Sequence, residues 1–406
     1  MSTSFSGSTA NLMGNNQIKV DDEYSRGFSL QGKKLKLDSA ADVEEYVKVI
    51  EETKNLATVC LSGNTVGVEA AKSLAAAIKN KHSITEVDLH DCFTGRMKEE
   101  VPVAIEAFCK AFLELPNLRK VDFSDNAFGP IGAKAVFEYL SNATNLQELI
   151  INNNGLGPEG GKIIGEALVL CSQKCKSIGA KSSLKKVSIG RNRLENGSME
   201  ALGKAFEAHE SLSDLSLYQN GIRPDGICTL SSSISKCVNL QYFDLQDNTF
   251  TEKGCRAFLE VLNHCNKLSN LNLGDCLLGP EGGYLILEAI FKNDVLCARL
   301  ATLNLQYNEI DEKGGLSLAE NIGKMTGLKE LVLNGNNFKS KGKAANLILK
   351  NIGSAGNVTK VDEWDDMEAD MDSDTEESDE AVDDERGASE TKEEEDLTKR
   401  IEDLKL

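Results

Sequence analysis

Three consecutive amides, Asn152, Asn153 and Asn154, and one arginine, Arg96 within DCFTGRMKEEVP (Asp91 to Pro102), are the residues of this sequence best placed to do chemistry. An amide presents a donor and an acceptor together, so it can orient a polar group without being a nucleophile itself. An arginine offers a planar fork to a phosphate or a carboxylate. The usual catalytic sets are not written in this chain. Its four histidines, His82, His90, His209 and His264, form no HExxH and no triad-like pattern. Eleven cysteines are scattered without a CxxC, which points to reduced thiols and not to a disulfide frame. Cys171 and Cys175 make a CxxxC with no matching second pair, so the reading preferred over a metal site is a chance pair on a helix. No metal set is expected.

What must position these residues is a repeat. Counted from Leu146, the stretch through Leu156 follows L-x-x-L-x-L-x-x-N-x-L, the frame of a leucine-rich repeat. The column that ends each frame reads Asn64, Cys92, Asn126, Asn154, Asn192, Asn220, Asn248, Cys276, Asn308 and Asn336, with intervals of 28, 34, 28, 38, 28, 28, 28, 32 and 28 residues. The unit is therefore 28 residues, with insertions before Asn126, Asn192 and Asn308. Phe28, Ser29 and Leu30 read as a degenerate capping strand, giving about eleven repeats. Leu215 and Leu217, or Leu303 and Leu305, alternate as buried strand positions, and Ile163, Ile164, Ala167 and Leu168 return at helical spacing after GPEGG. The predicted fold is an α/β leucine-rich-repeat solenoid, a crescent or horseshoe with parallel strands on the concave side and helices on the convex side.

Composition agrees with layers built from leucine: 40% of the chain is hydrophobic and only 5% aromatic. The formal net charge is −19, but Asp362 to Asp396 alone holds −18, which leaves the body near neutral and disfavours nucleic acid as a partner. Residues 1–27 are expected to be disordered, 28–360 to form the repeat domain and 361–406 an acidic, largely disordered tail. Within the tail, Leu397, Ile401 and Leu404 are spaced for one short helical stripe, more readily a frayed end than a docking helix. No apolar run is long enough to span a bilayer and no apolar leader precedes the repeats, so a cytoplasmic or perinuclear monomer is expected.

Residues just before the column face the inner side or its rim. They include Asp88, His90, Asp122, Asp125, Asn152, Asn153, Arg191, Tyr218, Gln219, Asp244 and Asp247. This acidic and amide stripe is either a solvated inner face or a docking surface for a protein with basic patches. Asn154 belongs to the column and is expected to bond backbone. Asn152 belongs to the inner face. Asn153 projects outward at the rim, where burial does not require an amide. Arg96 lies in the insertion before Asn126, on a loop that either lifts it toward a partner's phosphate or carboxylate or leaves it an ordinary surface arginine.

The sequence resembles the Ran GTPase-activating protein family over residues 28 to 360. The resemblance is carried by LSGNTVG at Leu61, FTGR at Phe93, SDNAFGP at Ser124, NNGLGP at Asn153, GRNRLENGSM at Gly190, QNGIRPDGI at Gln219, LQDNTF at Leu245 and LQYNEI at Leu305. It implies an activator, with no catalytic centre of its own, that stimulates GTP hydrolysis by Ran in support of nucleocytoplasmic transport. GTP and Mg2+ would belong to the partner, and the chain itself would need no cofactor. In that family an asparagine, here Asn153, orients the partner's glutamine without an arginine finger. By the same resemblance Arg96 supports the complex, Lys98, Asp125, Arg191 and Arg193 are contact residues, and a Ran-binding protein acts as co-activator. The plant-type WPP domain and the animal-type C-terminal domain of the family are absent from this sequence. The competing expectation is a non-catalytic scaffold of the ribonuclease-inhibitor kind.

Overall fold

In the computed structural model, residues 26–367 are described. The expectations for the N-terminal segment, for most of the acidic run and for the terminal helical stripe fall outside those residues. Within them, twelve three- or two-residue strands form one parallel sheet in strict chain order, from Gly27–Ser29 to Lys360–Val361. A short second sheet pairs Lys36–Leu37 with Thr65–Val66. The capping strand expected at Phe28 is present, with Phe28 opposite Val59. A twelfth strand, Lys360–Val361, pairs with Glu330–Val332 beyond the eleven repeats read from the sequence.

Register follows the repeat without slippage. Leu149 faces Val121 on one side and Val187 on the other, although the second pair is separated by a longer unit. Leu215, Leu217, Leu303 and Leu305 are fully buried, as their alternation predicts. Each such side chain contributes roughly 1.5 to 3 kcal/mol, and each does so against a neighbouring repeat. The insertions extend elements and leave the strands in place. One lengthens the helix Gly157–Ser177, and one adds the short helix Asp294–Arg299, whose N-cap Asn293 accepts a hydrogen bond from the Leu296 N–H. The third, before Asn126, becomes the loop leading into the helix Glu100–Phe112.

The asparagine column is a hydrogen-bond ladder, interrupted at the two positions that cysteine holds. Asn192 accepts from the Asn154 N–H at 2.9 Å and donates to the carbonyls of Ile151 at 2.8 Å and Gly190 at 3.0 Å. Asn154, Asn220, Asn248, Asn308 and Asn336 repeat the pattern, each taking the backbone N–H of the preceding column residue. Asn126 does the same for Cys92, and Asn64 bonds the carbonyls of Leu30 and Leu61. The sheet ladder ends at these backbone groups, and burial denies them water, so a side-chain amide must satisfy them. Where cysteine holds the column, Cys276 makes only long contacts to Leu245 O at 3.3 Å and Gly274 O at 3.5 Å. Nine of the eleven cysteines are buried, and burial pushes the thiols of Cys171, Cys237, Cys255 and Cys265 up to about 12.

Replacing Asn192 by alanine removes the acceptor of the Asn154 and Leu156 N–H groups and the donor to the Ile151 carbonyl, while Gly190 O keeps the Asn153 N–H, and should cost on the order of 3 kcal/mol. Urea unfolding of the Asn192→Ala protein checks this, and an unshifted midpoint would remove the ladder as a source of stability.

Candidate functional site

The ladder dictates the rim. To bring each column asparagine inward, the residue before it turns left-handed: φ is +49° at Asp91, +59° at Asp125, +51° at Asn153, +57° at Arg191, +52° at Gln219, +56° at Asp247, +52° at Asp275 and +52° at Tyr307. Gly63 and Gly335 complete the series at +70°. Left-handed backbone favours glycine, asparagine and aspartate. Burial makes no demand on Asn153, which is exposed, but its backbone conformation favours an amide there. Arg191, Gln219 and Tyr307 take the same conformation against preference. The repeat of Asn192 goes further and places Arg191, Arg193 and Glu195 all at positive φ, where the repeat of Asn154 has Asn153, Gly155 and Gly157.

The three asparagines separate as expected, with particulars that the spacing does not contain. Asn154 is buried in the ladder. The Oδ1 of Asn152 accepts from the Gly190 N–H at 2.7 Å and from the Ser188 hydroxyl at 2.8 Å, so its work is internal. Asn153 is exposed, and its Nδ2 donates to Oδ1 of Asp125 at 2.5 Å. A carboxylate only accepts, which fixes the amide with its nitrogen inward. The other carboxylate oxygen of Asp125 lies 3.3 Å from Nδ1 of His90. The Thr94 hydroxyl donates to the Asp125 carbonyl at 3.0 Å. His90, Asp125 and Asn153, on three successive repeats, thus form one side-chain line along the rim.

Arg96 is not lifted toward solvent, contrary to the reading of it as a residue reaching out from its loop. Its side chain is only 10% exposed. Nε donates to the Thr65 hydroxyl at 2.8 Å, and Nη2 donates to the carbonyls of Thr65 at 2.7 Å and Leu37 at 3.2 Å. Nη1 is paired with Asp38, whose carboxyl is held below the usual range by hydrogen bonds from Arg96 and Lys36. The fork is used up inside the protein, tying the insertion loop to the short second sheet. On the loop's other side Phe93 is buried, with its ring centroid 6.5 Å from those of Phe108 and Phe128. An aromatic cluster thus lies beneath this loop, continued by Phe112, Phe123 and Tyr139. Lys98 is exposed beyond the clamp and forms no ion pair among the described residues.

The inner stripe is partly structural. Asp88, Asp122 and Asp244 each accept the backbone N–H two residues on, from His90, Ser124 and Gln246 at 2.9, 2.8 and 3.1 Å. Burial pushes the carboxyls of Asp122 and Asp244 up. Arg191 and Arg193 are exposed and make no ion pair among the described residues. Next to Arg191, the Tyr218 ring lies over Gly190, where a Cβ would come within 2.3 Å of the ring. Sequence reading gave no role to Thr94 or Asp38, and placed His90 and Tyr218 only in the stripe.

Comparison with known proteins supports the geometry. A family model described as Leucine Rich repeat matches residues 114–137, 142–165, 236–259 and 299–319. The chain is 33% identical over 338 residues to Ran GTPase-activating protein 1 of Saccharomyces cerevisiae, covering 80% of this chain and 82% of that protein. It is 39% identical over 198 residues to Ran GTPase-activating protein 1 of Xenopus laevis, covering 48% of this chain and 34% of that protein. To the ribonuclease inhibitor of Sus scrofa it is 30% identical over 142 residues, 35% of this chain and 30% of that protein. The yeast match, which runs the length of the repeats where the inhibitor match covers about a third of the chain, decides between the two: the chain belongs to the Ran GTPase-activating protein family.

Proposed function

We propose that this chain binds Ran in its GTP-loaded form and accelerates hydrolysis of the bound nucleotide, with Asn153 as the residue that acts on the partner's active site. The observation that carries this reading is the orientation of one amide. Its nitrogen is held by Asp125, and its oxygen has no hydrogen-bond partner among the described residues. An outward amide oxygen accepts from the side-chain amide of a glutamine. A glutamine held in that way keeps its own oxygen for the attacking water.

A GTPase of this type already supplies Mg2+, a phosphate-binding lysine and a glutamine that orients water; what it lacks is positioning. An activator contributes on the order of 10^5 in rate, roughly 7 kcal/mol. An ordered amide at the rim needs neither a nucleophile nor a cofactor of its own to contribute to that. Arg96, with its donors turned inward, acts in this reading by holding the loop that carries Lys98. Lys98, Arg191 and Arg193 are contacts to the partner, and Asp125 acts chiefly through Asn153. The activator works as a cytoplasmic or perinuclear monomer, with a Ran-binding protein as co-activator, and keeps Ran in its GDP form on that side of the nuclear envelope.

In single-turnover hydrolysis with purified Ran, Asn153→Ala should slow the stimulated rate by roughly two to three orders of magnitude with little change in affinity for GTP-loaded Ran. Near wild-type stimulation by a variant that still binds would end the assignment. Retention of a basic ligand without any GTP-dependent retention of Ran would favour the inhibitor-like scaffold instead. Arg96→Ala should lower activation at sub-saturating concentration by about tenfold or more and lower the melting temperature of the N-terminal repeats. Arg96→Lys should restore neither, because a single ammonium cannot reach the four acceptors that the fork spans. Full rescue by lysine would reject the clamp.

A further inference from the structure

The line of side chains on the rim does not stop at Asp125. Four contacts fix that residue. Its N–H donates to Asn152 O at 3.0 Å and its carbonyl accepts from the Thr94 hydroxyl at 3.0 Å. Its carboxylate holds Asn153 with one oxygen and faces His90 with the other. Asp125 is itself at positive φ and its side chain is 36% exposed, so without these contacts the carboxylate would rotate freely in solvent. His90 lies two residues before the column in the repeat that carries the insertion, and Thr94 lies on the inserted loop. The loop is rooted by Phe93 below and clamped by Arg96 to the short second sheet.

We infer that His90 and Thr94 are positioning residues of the activation reaction: they immobilise Asp125, which in turn presents the Asn153 amide with its oxygen outward. This rests on the function proposed above and assigns the inserted loop a role in it that needs no contact with the nucleotide. For a carboxylate to meet Nδ1 of His90 favourably at 3.3 Å, that nitrogen must carry the proton. The loop therefore acts on Asn153 through a relay of two hydrogen bonds, from the Thr94 hydroxyl to the Asp125 carbonyl and from the Asn153 amide to the Asp125 carboxylate, with the His90 ring 3.3 Å from the other carboxylate oxygen.

The test is single-turnover hydrolysis with the full chain at saturating concentration, with affinity for GTP-loaded Ran measured in parallel. Thr94→Val, which deletes the hydroxyl and keeps the shape, and His90→Phe should each slow the stimulated rate by about three- to tenfold, and Asp125→Ala by about ten- to a hundredfold. Affinity should change by less than about twofold. Thr94→Ser keeps the hydroxyl and should retain the wild-type rate, which a general role in loop packing would not predict. Placed on Asn153→Ala, none of the three changes should slow the rate further by more than about twofold, because the group they position is gone. In 15N-labelled free protein, the Asn153 side-chain amide resonance should shift in Thr94→Val and His90→Phe and not in Thr94→Ser. Effects that add fully to Asn153→Ala, or that appear only in affinity, overturn the inference. So does wild-type behaviour of Thr94→Val and His90→Phe when Asn153→Ala is slow, an outcome that leaves the role of Asn153 intact. A fast Asn153→Ala variant instead removes the reading on which the inference rests.

Discussion

Each strand of the long sheet ends at buried backbone groups that the next strand cannot reach, and a side-chain amide from the following repeat takes them over. Asn154 is served by Asn192, Asn192 by Asn220 and Asn220 by Asn248, at 2.9, 2.9 and 3.3 Å. The hydrophobic interior supplies most of the stabilising free energy, but this hand-over sets where the chain turns. Leucines tolerate repacking; a buried N–H without an acceptor does not. The chain turns inward at the column and the residue before it is left-handed, from Asp91 through Tyr307, whether asparagine or cysteine holds the column. The rim on which the candidate site sits is thus a by-product of how the interior satisfies its polar groups.

That by-product carries a cost that differs between repeats. Glycine, asparagine and aspartate accept positive φ readily, and at most repeats one of them is found. Arg191 and Arg193 do not belong to that set, and neither does Tyr307. For Tyr307 the compensation is visible. Its hydroxyl donates to Asp366 at 2.7 Å, and its ring lies against Gly335, so the tyrosine fastens the start of the acidic segment back onto the sheet. Nothing comparable within the described residues holds Arg191 and Arg193.

The framework was legible because its two requirements are stated by residue type: leucine where a side chain is buried, asparagine where backbone groups need an amide. The interval of 28 then located Asn153 at the rim, and the family resemblance suggested the role proposed for it. What the sequence hid was contact at a distance. Arg96 meets Asp38 across 58 residues, from an insertion to a degenerate cap, and no spacing rule connects the two. The left-handed column was hidden for a different reason, since Gly, Asp, Asn, Arg, Gln and Tyr all occupy it and no residue type marks it. Thr94 had no signal beyond its place in FTGR, because its partner is a backbone carbonyl, which every residue possesses.

Strands in register advance by about 4.8 Å per repeat, and the three insertions are absorbed in loops and helices without disturbing that step. The rim is therefore a ruler whose graduations are fixed by backbone geometry and whose marks are single side chains. Asp125, Asn153 and Arg191 are adjacent graduations, even though the last two are 38 residues apart in sequence. Under the proposed function, a partner docked one repeat out of place would meet Asp125 or Arg191 in place of the amide, a change of a full charge for a shift of one graduation. Alignment along the solenoid would then be set by charge contrast between neighbouring marks, and would survive any change in loop length that leaves the strands paired.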